Sequence, residues 1–353
     1  MTDTNTNTAP EPVGGTALRR RSISISTLVA AMVLSVMFAP VLFAIAAAVD
    51  LFTARRGWPH VRLTAMAILA LIIEFVGTFG AGVTWVVFAG GRLFHTRAAQ
   101  HAHFALQRWW TGALLTAAEH TVGLRIQVDD PEPAARGNAI VIGRHTSIGD
   151  AVIPAVLLGN LLHLDPRYVV KRTLMWSPCI DIIGHRLPHH FVERNADDNR
   201  GELAALRSIA TGLDDHTSVV IFPEGTFFTP ERRLRSIERL RNGSRPELAE
   251  RAEALHHVLA PRPAGTLALL EGAPHADVVV LGHLGFEQFN SLAAIRRAVP
   301  FSTPVRVWMW RIPRAEIPIE REARIDWLYE QWLELDRSVA ARLPAPFLDV
   351  VSR

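Results

Sequence analysis

The chain has 353 residues, enough to bury a core as one large domain or two small ones. Hydrophobic residues make up 49% and charged residues 20%, with a mean hydropathy of +0.17; an ordinary soluble protein is less apolar, and the excess sits in two N-terminal runs. The net charge of +3 and a pI near 9.7 suit an anionic membrane surface or an anionic substrate, whereas scattered arginines and the lack of a helix-turn-helix or RNA-binding signature argue against nucleic acid.

Residues 1–26 begin with a stretch rich in Thr, Asn, Pro and Gly and end in Arg19, Arg20 and Arg21, a composition expected of a disordered tail. Thr27 to Val49 then runs apolar without a charge before Asp50, long enough for a bilayer-crossing helix, with Pro40 expected to kink it. A polar stretch follows, and a second apolar run covers Ala65 to Ala89. That run holds one charge, Glu74, and Gly77, Gly80 and Gly82, small residues that favour close helix contact. Residues 27–90 read as a membrane helical hairpin, either spanning or entering one leaflet, with Glu74 facing its interior. Arginines flank the hairpin on both sides and lie in its loop, so the positive-inside count does not decide sidedness.

From about residue 100 the composition becomes globular. Phe104 to Val122 reads as an amphipathic helix carrying Trp109 and Trp110. Strands are expected at 139–142, 168–170, 190–192, 218–222, 277–281 and 305–310, and helices at 151–162, 200–213 and 323–341. The alternation predicts an α/β domain over residues 100–345, with a mixed, largely parallel sheet flanked by helices. Cys179 is the only cysteine, which excludes an internal disulfide and a cysteine zinc site. It fits a reducing compartment, and residues 100–345 are expected on the cytoplasmic side of a membrane.

Three places carry chemistry. Just past a predicted strand stands Gly-Arg144-His145-Thr-Ser-Ile-Gly-Asp150. A turn there can fold the carboxylate onto the imidazole, fixing its tautomer and leaving the other ring nitrogen as a general base for a substrate hydroxyl. A second strand ends in Phe222-Pro223-Glu224-Gly225-Thr226. Pro223 fixes φ, Gly225 permits close backbone approach, and Thr226 offers a hydroxyl and an N–H for a small anion-binding concavity. The third is Arg194 beside a strand end, suited to a bidentate grip on phosphate. Adjacent histidines at 189–190 and 256–257 lack the carboxylate spacing of a metal site, so no metal is expected.

With these residues in place, the chain resembles the glycerolipid acyltransferases, which include the 1-acylglycerol-3-phosphate O-acyltransferases. His145 and Asp150 are similar to that family's HX4D block, Gly184 to Arg194 to its second block, and Phe222 to Thr226 to its FPEGT block. Val278 to Gly282 stands where a fourth, strand-like block would be. The closer resemblance is to the eukaryotic-type lysophosphatidate and lysocardiolipin acyltransferase branch. It is carried by Lys171-Arg-Thr-Leu with Pro178, by Leu259-Ala-Pro261-Arg262 with Gly265, and by Arg311-Ile-Pro313, Ile317-Pro318 and Trp327-Leu328. Three departures stand out: Arg144 replaces a frequent Asn, the fourth block has no Pro, and Phe227 and Phe228 follow the FPEGT Thr where a basic residue is common.

The resemblance implies that His145 is the general base and Asp150 its orienting partner. It implies that Arg194 binds the acceptor's phosphate, that Glu224, Gly225 and Thr226 shape the acceptor site, and that Lys171 and Arg262 are further phosphate contacts. The expected activity is acyl transfer from acyl-CoA or an acyl carrier protein thioester to a lysophospholipid hydroxyl, with 1-acylglycerol 3-phosphate giving phosphatidic acid. No bound cofactor is required, and the bilayer itself is an expected partner. Two other readings are a transacylase that takes its acyl group from another phospholipid without CoA, and a non-catalytic lipid-binding membrane protein.

Overall fold

The computed structural model describes residues 15–54, 56–192, 199–243, 245–289 and 291–343. The chain begins with α1 (Gly15–Met37), α2 (Ala39–Phe52), α3 (Pro59–Val87) and α4 (Arg97–Val122), then β1 (Ile126–Val128) and β2 (Ala139–Gly143). Next come α5 (Val152–Pro154), which continues as a π-helical stretch over Ala155–Leu161, β3 (Asp165–Lys171), α6 (Pro178–Gly184), β4 (His190–Val192), α7 (Asn199–Ala210) and β5 (Thr217–Ile221). The remainder is α8 (Pro230–Arg241), α9 (Glu247–Glu253), α10 (Pro263–Gly272), β6 (Asp277–Leu284), α11 (Leu292–Ala298), β7 (Val305–Ile312) and α12 (Arg321–Ala340). The chain divides into two compact units, one of residues 1–122 with 170–195 and one of residues 123–169 with 196–353.

In the first unit, α1 and α3 are long and apolar enough to cross a membrane by length and composition. Helix α1 already begins at Gly15, so residues 15–26 are helical rather than part of a tail. The expected apolar run breaks at Phe38, and Pro40 takes the first turn of α2. A proline there loses no helical N–H, whereas one turn further in it would clash with the preceding carbonyl. Both α1 and α2 pack on α3, so the first arm of the hairpin is a kinked pair.

The glycine face of α3 turns elsewhere. A Cβ on Gly77 would lie 2.8 Å from the Cys179 sulfur and 3.0 Å from Trp110, and one on Gly80 would lie 3.0 Å from Leu106. Glu74 follows the same face: its carboxylate accepts hydrogen bonds from Trp110 Nε1 at 3.0 Å, the Ser177 hydroxyl at 2.5 Å and the Cys179 N–H at 3.0 Å. It therefore ties α3 to α4 and to the start of α6, rather than facing α1 and α2. A carboxylate on an apolar helix needs such donors, because leaving it bare would be costly. At the start of α1, Arg20 and Arg21 converge on the buried Asp181 of α6.

Among its described residues the second unit holds six strands in the order β1-β7-β6-β2-β5-β3. All neighbouring pairs are parallel except β6 with β7, so the sheet is mixed and largely parallel as expected. Strand β1 has no counterpart in the sequence reading: three residues are too short for a periodic signal. Strands β2, β5 and β6 are buried along nearly their whole length, the pattern of strands covered on both faces. One face, with Ile140, Ile142, Val219, Ile221, Val278 and Val280, packs against α7, α10 and α12 in the main core, where Trp332 is fully buried.

Candidate active site

Register decides the site. In the parallel pair β2/β5, Ile142 lies opposite Ile221, and in β2/β6, Gly143 lies opposite Leu281. Three adjacent parallel strands thus end at one edge, and the residues just past their ends meet there: His145 after β2, Glu224 after β5 and His283 at the end of β6. The carboxyl edge of such a sheet is where α/β proteins gather reactive groups. Gly143 has no room for a side chain, since a Cβ would lie 2.8 Å from the Phe222 ring.

His145 Nδ1 lies 2.9 Å from Asp150 Oδ2, with the imidazole 18% exposed and the carboxylate fully buried. Asp150 also accepts the N–H groups of Thr146 and Ser147, and the hydroxyls of Ser147 at 3.0 Å and Thr146 at 3.2 Å. Burial acts to raise its pKa, but His283, His145 and these donors overcome it and hold the carboxyl below its ordinary range. A carboxylate only accepts hydrogen bonds, so Nδ1 carries the proton and Nε2 presents its lone pair. The local cause is a capping box: the Ser147 hydroxyl accepts the Gly149 N–H at 3.0 Å while Asp150 reaches back to the Ser147 N–H. The Ser-x-x-Asp spacing in the sequence carries that signature.

Glu224 is 2% exposed and spends both oxygens on backbone, accepting the N–H of His145 at 2.9 Å and that of Leu259 at 2.9 Å. Burial pushes its carboxyl up to about 8, with the Asp150 charge adding to the push and the two N–H donors and Arg144 opposing it. Gly225 adopts a positive φ of +69°, and the Arg262 side chain lies against it, 3.4 Å from where a Cβ would stand. The Phe228 N–H donates to the His145 carbonyl at 2.8 Å, so the residues that follow the Glu224 turn lie directly against His145. Phe222 and Phe227 flank the imidazole, with ring centroids 5.0 and 6.1 Å away.

Arg144 faces inward. It is 3% exposed and donates to the carbonyls of His257 and His283 and to Glu287. Asp336 of α12 accepts the N–H groups of His256, His257 and Val258. Together with Glu224, these bonds hold the 256–262 loop, and with it Arg262, beside the Gly225 turn.

The second unit therefore brings together His145, Asp150, Glu224, Gly225 and Arg262, and places a half-buried Thr226 beside them. Lys171 is exposed at the end of β3 and belongs to the first unit. Arg194 lies outside the described residues. Two groups escaped the sequence reading: His283, hidden in a strand whose pattern is simply apolar, and Arg144, noticed only as a departure.

Residues 125–253 match the family described as Acyltransferase. This stretch contains His145, Asp150 and the Glu224 turn. Among solved structures, the chain is similar to the 1-acyl-sn-glycerophosphate (LPA) acyltransferase PlsC from Thermotoga maritima, at 15% identity and a TM-score of 0.45, over 79% of this chain and 99% of that one.

Proposed function

We propose that this chain, an enzyme of the acyltransferase family, is a membrane-bound O-acyltransferase that esterifies the free hydroxyl of a phosphate-bearing lysolipid, with 1-acylglycerol 3-phosphate as acceptor and an acyl-CoA or acyl carrier protein thioester as donor. The observation that carries this reading is the 2.9 Å contact between His145 Nδ1 and Asp150 at the carboxyl edge of the sheet. It leaves Nε2 on an imidazole that is still accessible, as a general base requires.

In the reaction, Nε2 takes the proton of the acceptor hydroxyl as that oxygen attacks the thioester carbonyl. The C–O bond forms, the tetrahedral oxyanion collapses, and the C–S bond breaks. The proton held by His145 passes to the leaving thiolate, so the imidazole ends neutral. Asp150 stays ionised throughout and steadies the imidazolium. Arg262, held beside the Gly225 turn, is suited to the acceptor's phosphate. Lys171 and Arg194 are further phosphate contacts in this proposal, and α1 and α3 are its membrane anchor.

The test is acyl transfer from labelled acyl-CoA to lysophosphatidate in membranes holding the wild type or His145→Ala. The variant is expected to lose about 10²- to 10⁴-fold in rate, the usual contribution of a positioned base. Equal rates would end the assignment. Product formed without any added thioester would favour the transacylase reading instead.

A further inference from the structure

His283 has no part in the mechanism above, yet its placement is costly. The side chain is fully buried at the end of β6, after four consecutive fully buried aliphatic residues, Val278 to Leu281. Its Nδ1 has no hydrogen-bond partner among the described residues. A buried polar atom left unsatisfied costs stability, and an apolar side chain at this position would avoid that cost. The other ring nitrogen points at the site. Nε2 lies 3.1 Å from the carbonyl oxygen of Arg144 and 3.6 Å from Asp150 Oδ1. Both atoms are acceptors, so Nε2 carries the proton and Nδ1 is the bare nitrogen.

That single N–H addresses both halves of the pair. The Arg144 carbonyl belongs to the peptide that leads into His145. Asp150 Oδ1 is the oxygen turned away from His145, whose own contact is with Oδ2. We propose that His283 is a positioning residue for acyl transfer, its Nε2–H holding the Arg144–His145 peptide and facing the far oxygen of Asp150. This inference rests on the acyltransferase reading above and adds a third member to its machinery.

The surroundings agree. Asp150, Arg144 and Glu287 are the charged groups around the ring. Arg144 is itself fixed by the His283 carbonyl at 2.6 Å and by Glu287. On the β7 side the cross-strand partner is Val307, which brings no charge. Burial lowers the imidazole's pKa, and the Arg144 charge adds to this, against Asp150 and Glu287. Phe286 packs edge-on with its centroid 5.8 Å away.

The experiment compares kcat and KM of the membrane enzyme for wild type, His145→Ala, His283→Leu and His283→Gln, each normalised to folded protein. Leu fills the space without an N–H, whereas a Gln side-chain amide places an N–H close to Nε2. His283→Leu is expected to lose about 10- to 100-fold in kcat, with KM for both substrates within about twofold, as when a reacting group loses its alignment. His283→Gln is expected to recover most of that loss. Wild-type kcat in His283→Leu, a Gln variant as slow as the Leu variant, or a KM effect alone would each overturn the proposal. Should neither variant fold, ¹⁵N-histidine spectra of the wild type decide it: protonation of His283 at Nδ1 overturns it, and an Nε2–H tautomer supports it. No turnover in the wild type would instead overturn the acyltransferase reading, which His145→Ala probes separately.

Discussion

Glu224 illustrates how a motif carboxylate can be committed to the backbone. Its two oxygens accept the N–H groups of His145 and Leu259, so Glu224→Gln must turn an amide NH₂ toward one of those donors. The expected cost is about 1–3 kcal/mol, read as a lower melting temperature in detergent; an unchanged midpoint would contradict the bracket role. The pH dependence follows from the sign of the shift. Below the ordinary value of 4.5, Glu224 is protonated in both folded and unfolded chains. Between 4.5 and about 8, the unfolded chain loses the proton while the folded one keeps it, so stability falls as pH rises. Gln does not titrate, and carboxylates such as Asp150 that shift the other way cancel in the comparison. The wild type's advantage over Glu224→Gln should therefore be largest near pH 5 and shrink toward pH 8. An advantage that grew with pH would mean that Glu224 is ionised in the fold. The motif was legible as Phe-Pro-Glu-Gly-Thr, and so was a turn at Gly225. That the carboxylate faces backbone was not, because the N–H of Leu259 comes from a segment 35 residues away.

At the level of elements, the His-x₄-Asp spacing owes its geometry to the helical turn that starts at Ser147. Ser147→Ala removes the cap on Gly149 and one hydroxyl donor to Asp150. A loss of about 1–2 kcal/mol is expected for such a cap, together with a lower acyl-transfer rate per folded molecule, because the carboxylate loses part of its cradle. A variant with wild-type melting and rate would show that the turn is held from elsewhere. The strands were readable from apolar runs bounded by turn residues, and six of them fall where expected. Strand β1, with three residues, carries no periodicity to read. The glycines of α3 signalled a close helix approach, but not which helix. Gly77 meets Cys179 of α6 and Trp110 of α4, Gly80 meets Leu106 of α4, and Gly82 faces open space; Glu74 on the same face finds its donors in α4 and at the start of α6.

For the whole molecule, the excess of apolar residues in α1, α2 and α3 leads to a test of its own. Phe38, Ile45, Leu51, Phe79, Val86 and Val87 are exposed large apolar side chains, more than a water-facing surface carries without aggregating. The protein should remain in the membrane pellet after a carbonate wash at high pH and be released only by detergent. Its release by carbonate alone would remove the membrane anchor from the proposed function. The sequence by itself determined the alternation of strands and helices, the apolar N-terminal segments, and a histidine and an aspartate close enough along the chain to meet in one turn. Those properties are local, set by side-chain periodicity, proline and glycine constraints, and a capping box. Only the tertiary structure decided that β6, β2 and β5 end side by side, because strand order and register depend on contacts between distant segments. That pairing brings His283 behind Asp150, turns Arg144 inward to the 257 loop, and gives Glu224 to the backbone.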